Sequence, residues 1–131
     1  MMSYYFARTL EAPFADAVAG ARAALAAEGF GVLTEIDVQA TMKAKLGVDL
    51  QPYLILGACN PQLAYEALQL EPRVGTMLPC NVLVRDLGGG RTEVAAINPL
   101  TSMLGIDNAR LHEQAARVAE KLLGALQRLD G

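Results

Sequence analysis

The sequence predicts an α+β domain with a mixed or largely antiparallel sheet and helices packed on it. Apolar residues alternate in some segments and recur at helical spacing in others, which gives the order β-α-β-α-β-α-β-β-α. Near the end, two strand-like runs flank Gly88-Gly89-Gly90, a strong hairpin signal. This hairpin breaks strict strand–helix alternation and argues against a doubly wound parallel sheet. With 131 residues, we expect a single domain over 1–131.

The first strand and helix are predicted from the first 30 residues. The segment SYYFARTL alternates and is rich in aromatic residues, which is typical of a strand. Pro13 suits the first position of a helix, where its missing N–H costs nothing. The helix then shows one apolar stripe: Phe14, Val18, Ala21 and Leu25. Gly29 is expected to end it.

The second strand is predicted at FGVLTEIDV, with one wetter face. Strict alternation would put one set of side chains on the inner side: Phe30, Val32, Thr34 and Ile36. Asp37 can cap a short helix at VQATMKAKL, which Gly47 would close.

The third strand is predicted at PYLILGA, which lacks alternation, so we expect cover on both of its faces. The following segment NPQLAYEALQLEP predicts a helix with Asn60 as its cap and Pro61 at its first position. After the hairpin, PLTSMLGID is predicted to be a loop. The final helix carries a stripe that faces either the core or a second copy: Leu111, Ala115, Val118, Leu122 and Leu126.

Composition excludes several classes of protein. The apolar content of 53% is ample for a core, and the net charge of −3 leaves no basic footprint for nucleic acid. The first residues lack the basic and apolar regions of a signal peptide. No apolar run approaches the ~20 residues that span a bilayer. We therefore expect a cytoplasmic protein without membrane or nucleic-acid partners.

The two cysteines, Cys59 and Cys80, do not form a disulfide framework and lack CxxC spacing. With one histidine in the chain, a zinc site of four Cys/His ligands cannot be assembled, and no motif demands a cofactor. We expect no metal site.

Cys59 precedes the proposed cap Asn60, where the partial positive charge of a helix N-terminus favours a thiolate. Pro61 removes one of the N–H donors there and weakens this interpretation. A buried core thiol is the favoured alternative. Cys80 shares parity with Val82 and Val84, which also favours a core position.

The two cysteines each adjoin a proline at a strand end, in CNP and LPC. Adjacent strand ends could bring the thiols together as a redox pair or as joint contacts for a soft ligand. Lys43 and Lys45, close to the end of the short helix, are further candidates for binding an anionic ligand, although a solvated helix face is the commoner situation.

The segments YLILGACNPQLAYEAL, GTMLPCNVLVRD and TEVAAINP together resemble domain-of-unknown-function family 302 over nearly the whole chain. The resemblance implies a small α+β domain that forms homodimers, and it implies no established reaction. It places residues of this chain at the family's motif positions: Cys59, Asn60, Pro61, Pro79 and Cys80. Lys43–Gly47 and Asn98-Pro99 match more weakly, and family members commonly have Asp where Asn98 stands.

Three hypotheses for function follow. The first is a homodimeric module that binds a small anionic or sulfur-containing ligand near Cys59 and Cys80. The second is a thiol enzyme in which Cys59 attacks and Cys80 resolves a mixed disulfide. The third is a structural or interaction protein with two core cysteines. The sequence does not decide whether the protein is an enzyme.

Overall fold

The computed structural model describes residues 3–130 and confirms the α+β class and the predicted order of elements. The strands are β1 Tyr5–Leu10, β2 Gly31–Asp37, β3 Tyr53–Cys59, β4 Cys80–Gly88 and β5 Arg91–Ile97. The helices are α1 Phe14–Ala27, α2 Val38–Leu46, α3 Pro61–Leu70, α4 Pro99–Ser102 and α5 Ala109–Gln127, with a 3-10 helix at Pro72–Met77. Within the described residues, no helix is long and apolar enough to cross a membrane.

The five strands form one sheet in the order β1-β5-β4-β3-β2, and all four neighbouring pairs are antiparallel. The predicted hairpin is confirmed: β4 and β5 pair around the glycine turn, where Gly88, Gly89 and Gly90 all have positive φ. Glycine adopts this left-handed conformation without the clash that a Cβ would bring.

Helices α1 and α5 cover one face of the sheet, which we call the helix face. Leu25 of α1 and Leu122 of α5 are buried there against Leu56 and Val84 of the sheet. The stripe on α5 therefore faces the core of its own chain, which decides between the two alternatives that the sequence left open. The opposite face of the sheet, which we call the open face, contributes no fully buried side chain to this core among residues 3–130.

The second strand departs from the predicted alternation. Phe30 and Val32 contact the core, but a β-bulge between Val32 and Thr34 shifts the register. Thr34 then pairs with Gly57, and Ile36 pairs with Ile55 on the open face. The expectation that Thr34 and Ile36 share the inner side with Val32 is wrong, because the extra residue of a bulge inverts the side-chain parity beyond it.

The third strand is covered on one face by its own chain. Leu54, Leu56 and Ala58 are buried under the helices, whereas Tyr53 and Ile55 of the open face are half-buried. Within residues 3–130, the open face of β3 is covered at Gly57, by Thr34 and Pro79, so the expected cover on both faces is only partly present.

The segment PLTSMLGID was predicted to be a loop, and this prediction is wrong for its first half. Pro99–Ser102 forms α4, with Asn98 accepting a hydrogen bond from the backbone N–H of Leu100. An Asn cap followed by Pro at the first position is a helix start signal. The same signal correctly predicted α3, capped by Asn60, and the cap residue Asp37 alone correctly predicted the start of α2.

Candidate functional site

The candidate site lies where β3 ends and β4 begins. Ala58 pairs with Cys80 across these strands, so Cys59 and Cys80 belong to neighbouring strand ends. The chain turns from Cys59 directly into α3, whose first residue is Pro61. From the sequence, CNP and LPC could be expected to lie together only if their two strands were neighbours. The antiparallel pairing of β3 with β4 makes them neighbours.

A small cavity of about 30 Å³ lies under this junction, between the sheet and helices α3 and α5. Its wall includes three sulfur-containing side chains, Cys59, Cys80 and Met103, and two amide side chains, Asn60 and Gln114. The remaining wall is apolar: Phe30, Ala58, Leu63, Ala64, Ala67, Leu78, Pro79, Pro99, Ala115 and Val118. A single water occupies ~10–15 Å³ on this scale, so the cavity has room for a group of only a few heavy atoms.

Asn60 is held in place as the cap of α3. Its side-chain oxygen accepts a hydrogen bond from the N–H of Leu63 at 3.2 Å, and its carbonyl accepts one from Ala64 at 2.9 Å. Pro61 has no N–H and is exposed outside the cavity wall. The N-terminus of α3 therefore has few unpaired donors with which to hold an anion.

Gln114 joins α5 to α3 at the back of the cavity. It is 3% exposed, and its side-chain amide nitrogen donates to the carbonyl of Leu63 at 2.8 Å and to Glu66 Oε2 at 3.2 Å. The paired amide fixes the position of the cavity wall formed by both helices.

Burial raises the pKa of both thiols. Cys80 is 7% exposed, and desolvation, together with the charge of a neighbouring Cys59 thiolate, raises its pKa to about 11. Burial also raises the pKa of Cys59, which is partly exposed. Burial disfavours the charged form of an acid, so both groups are neutral thiols near neutral pH.

Lys43 and Lys45 lie far from the cysteines. Their helix α2 follows Asp37, which pairs with Leu54, whereas Cys59 pairs with Gly31 at the other end of the same strands. Six residues of strand separate the two ends by roughly 20 Å. Lys43 instead pairs with Asp49 at 3.0 Å, and both lysines are exposed. The structure does not bring them into a common site with Cys59 and Cys80.

Two residues of the cavity wall, Met103 and Gln114, were missed by sequence reasoning. Gln114 interrupts the apolar surface of α5 next to Ala115, and a polar residue at such a position signals a buried hydrogen bond or a site. Met103 follows α4 and gives no local signal of its own. Among residues 3–130, no group of three or more His, Cys, Asp or Glu side chains could hold a metal ion.

Comparisons with known proteins bear on the family and the fold. The family model described as "Domain of unknown function DUF302" matches residues 6–129. A crystal structure of an uncharacterized conserved protein DUF302 from Bacillus stearothermophilus is 28% identical in sequence, with a TM-score of 0.89. The match covers 97% of this chain and 98% of that one. No curated protein matches this chain.

Proposed function

We propose that this chain, which belongs to the family of unknown function DUF302, is a homodimeric binding module for a small sulfur-containing ligand. The ligand enters the cavity between Cys59 and Cys80. One observation carries the proposal: three sulfur side chains and two amide side chains converge on one small, otherwise apolar cavity. Binding sites of small molecules combine apolar walls with a few placed polar groups in this way.

The lining of the cavity favours a sulfur-containing ligand over an anionic one. No lysine, arginine or histidine side chain is part of the wall, and Asn60 already occupies donors of the α3 terminus. Placing an anion there would desolvate its charge without a compensating cation. A thiol or thioether instead meets the polarizable sulfur atoms of Cys59, Cys80 and Met103 at no such cost.

Thiol catalysis is the weaker alternative because the thiolate is the nucleophile in such enzymes. Burial raises the pKa of both Cys59 and Cys80, so only a small fraction of either is ionised at neutral pH. A reactive thiol requires the opposite shift, produced by a nearby cation or a helix N-terminus with free donors.

The binding proposal is tested by NMR titration of the ¹⁵N-labelled protein with ethanethiol in a phosphine-reduced buffer. Ethanol, in which oxygen replaces sulfur, is the matched control ligand. We expect saturable shifts of the Ala58 and Ala64 amides and of the Gln114 side-chain amide, with weaker or no saturation by ethanol.

A cavity-filling variant sharpens the test. Ala64→Leu places extra methyl groups at the half-buried wall and should abolish the ethanethiol shifts, whereas Ala116→Leu, at an exposed position of α5, should leave them unchanged. Equal binding by both variants, or no saturable shift in the wild type, would overturn the proposal. Incubation with oxidised glutathione that passes through a mixed disulfide on Cys59 and ends in a Cys59–Cys80 disulfide, with two glutathione thiols released, would support the thiol enzyme instead.

A further inference from the structure

The open face of the sheet carries a continuous apolar row that crosses all five strands. Ala7 pairs with Ala95, which pairs with Leu83, and Leu83 pairs with Ile55. Ile55 then pairs with Ile36 at the edge of the sheet, where Ile36 is 49% exposed. Directly opposed residues in adjacent strands project to the same face, so these five side chains form one band perpendicular to the strands.

A second row of side chains beside this band contains one positive and one negative residue, whose charges cancel on the open face. Arg85 Nε donates to Glu93 Oε1 at 2.7 Å. In the strand register, Arg85 also lies opposite Tyr53 of β3. On the other side of the band, Tyr5 pairs with Ile97 and is 43% exposed. The centre of this surface holds a depression of about 470 Å³.

We infer that the open face is the surface through which two copies of this chain pair, sheet against sheet, with the band of Leu83 and Ile55 at the centre. The inference rests on the homodimer proposed above and assigns its interface. It also completes the cover on the second face of β3 that the non-alternating sequence predicted, where Tyr53 and Ile55 are half-buried in one copy.

The size of the face fits a second copy. Five strands ~4.8 Å apart and six to nine residues long present a face of roughly 24 by 20–30 Å, and side-chain relief adds to its accessible area. A stable interface buries about 800 Å² per partner, which a face of this size approaches.

The charges also favour self-association over a partner of opposite charge. In a twofold dimer the same patch meets itself, so any net charge at its centre would repel its own copy. Arg85 and Glu93 cancel within the patch, and in a twofold arrangement the Arg85 of one copy can also approach the Glu93 of the other. Helices α1 and α5, and the cavity under α3 and α5, remain on the far side of each sheet.

The experiment measures mass by light scattering during size-exclusion chromatography from micromolar concentrations downward. Leu83→Glu and Ile36→Glu place a carboxylate in the apolar band, and Leu123→Glu is the matched control on the exposed side of α5, at 39% exposure. We expect a dimeric wild type, at least a tenfold higher dimer dissociation constant for both band variants, and no change for Leu123→Glu.

Every result bears on the interface. A monomeric wild type overturns both the dimer and its assigned face, whereas a dimer that survives both band variants overturns the face alone. If Leu83→Glu fails to fold, Ile36→Glu still decides, because its side chain is half exposed in one copy. In the wild type, the methyl groups of Leu83 and Ile55 should be protected from a soluble gadolinium relaxation agent. Ethanethiol binding is scored separately, so loss of the dimer is distinguishable from failure of the cavity proposal.

Discussion

Gly57 of β3 lies opposite Thr34 of β2, and the side chain of Thr34 fills the space that a Cβ on Gly57 would occupy. The ring of Pro79, which immediately precedes β4, closes the same space from the other side, 2.7 Å from the position of that Cβ. The position two residues before Cys59 must therefore be glycine for β2, β3 and the turn into β4 to approach one another. This packing fixes the strand ends that carry the two cysteines.

Gly57→Ala should lower the free energy of unfolding by about 1–3 kcal/mol, because overpacking a closed site forces its neighbours to move. Urea unfolding measures the change. Gly31→Ala is the matched control on the neighbouring strand, where the nearest atom would be 4.0 Å away, and it should be near neutral. Removing the Thr34 hydroxyl with Thr34→Ala should reduce the cost of Gly57→Ala in a double-mutant cycle. Equal costs in both backgrounds would show that Thr34 is not the obstacle.

The buried Cys80 thiol should make stability fall at alkaline pH. Its pKa rises from an ordinary value of 9.0 in the unfolded chain to about 11 in the fold, so its contribution is fully present below pH 9. The contribution is lost as pH rises from about 9 to 11, to a total of roughly 2–3 kcal/mol. Urea unfolding at pH 8 and pH 10.5 measures it.

Cys80→Ala is the control for this pH dependence. Subtracting the pH profile of the variant's stability from that of the wild type isolates the contribution of the thiol. If the stability of the wild type and that of Cys80→Ala changed with pH in parallel, the result would contradict the burial of the Cys80 thiol. The partly exposed Cys59 should also react with iodoacetamide before Cys80 in the folded protein.

Asn60 has two separable roles, as the cap of α3 and as a wall of the cavity. Asn60→Ala should cost about 1 kcal/mol of stability by removing the acceptor for the Leu63 N–H. Asn60→Asp keeps an acceptor and adds a charge that a helix N-terminus favours, so stability should stay within a few tenths of a kcal/mol. If the amide nitrogen of Asn60 contacts the ligand, only ethanethiol binding should weaken in Asn60→Asp. If Asn60→Asp were as unstable as Asn60→Ala, the result would contradict the capping role.

The sequence predicted those elements whose signals are local. Asp37, Asn60 and the three glycines of the hairpin each act on their immediate neighbours, and the helices and the turn lie where these residues place them. The bulge at Leu33 was not predicted because it depends on how β2 pairs with β3. The sequence of β2 alone does not encode the register of that pairing. Lys43 and Lys45 entered the candidate site for the same reason: spacing gives no distance between strand ends.

The candidate site could be located from sequence only as far as its cysteines and cap. CNP and LPC mark two strand ends, and antiparallel pairing of β3 with β4 makes them adjacent. The opposite wall comes from Met103 and Gln114, which the chain brings to the cavity through α4 and α5. Contacts at this separation follow from the packing of helices on the sheet, for which a single sequence carries no direct signal.

Gln114 provides a test of how this distant wall is held. Gln114→Leu removes hydrogen bonds to the Leu63 carbonyl and to Glu66, and should lower the free energy of unfolding by about 1–2 kcal/mol. Gln127→Leu, at an exposed position of α5, is the control and should be near neutral. A further link between these helices, Arg117 with Glu66 at 3.5 Å, is exposed and contributes little. A Gln114→Leu variant as stable as the wild type would contradict this stabilising role, because burial of the added apolar groups would then offset the lost hydrogen bonds. In that case the amide serves the ligand rather than the fold, and ethanethiol should bind this variant more weakly.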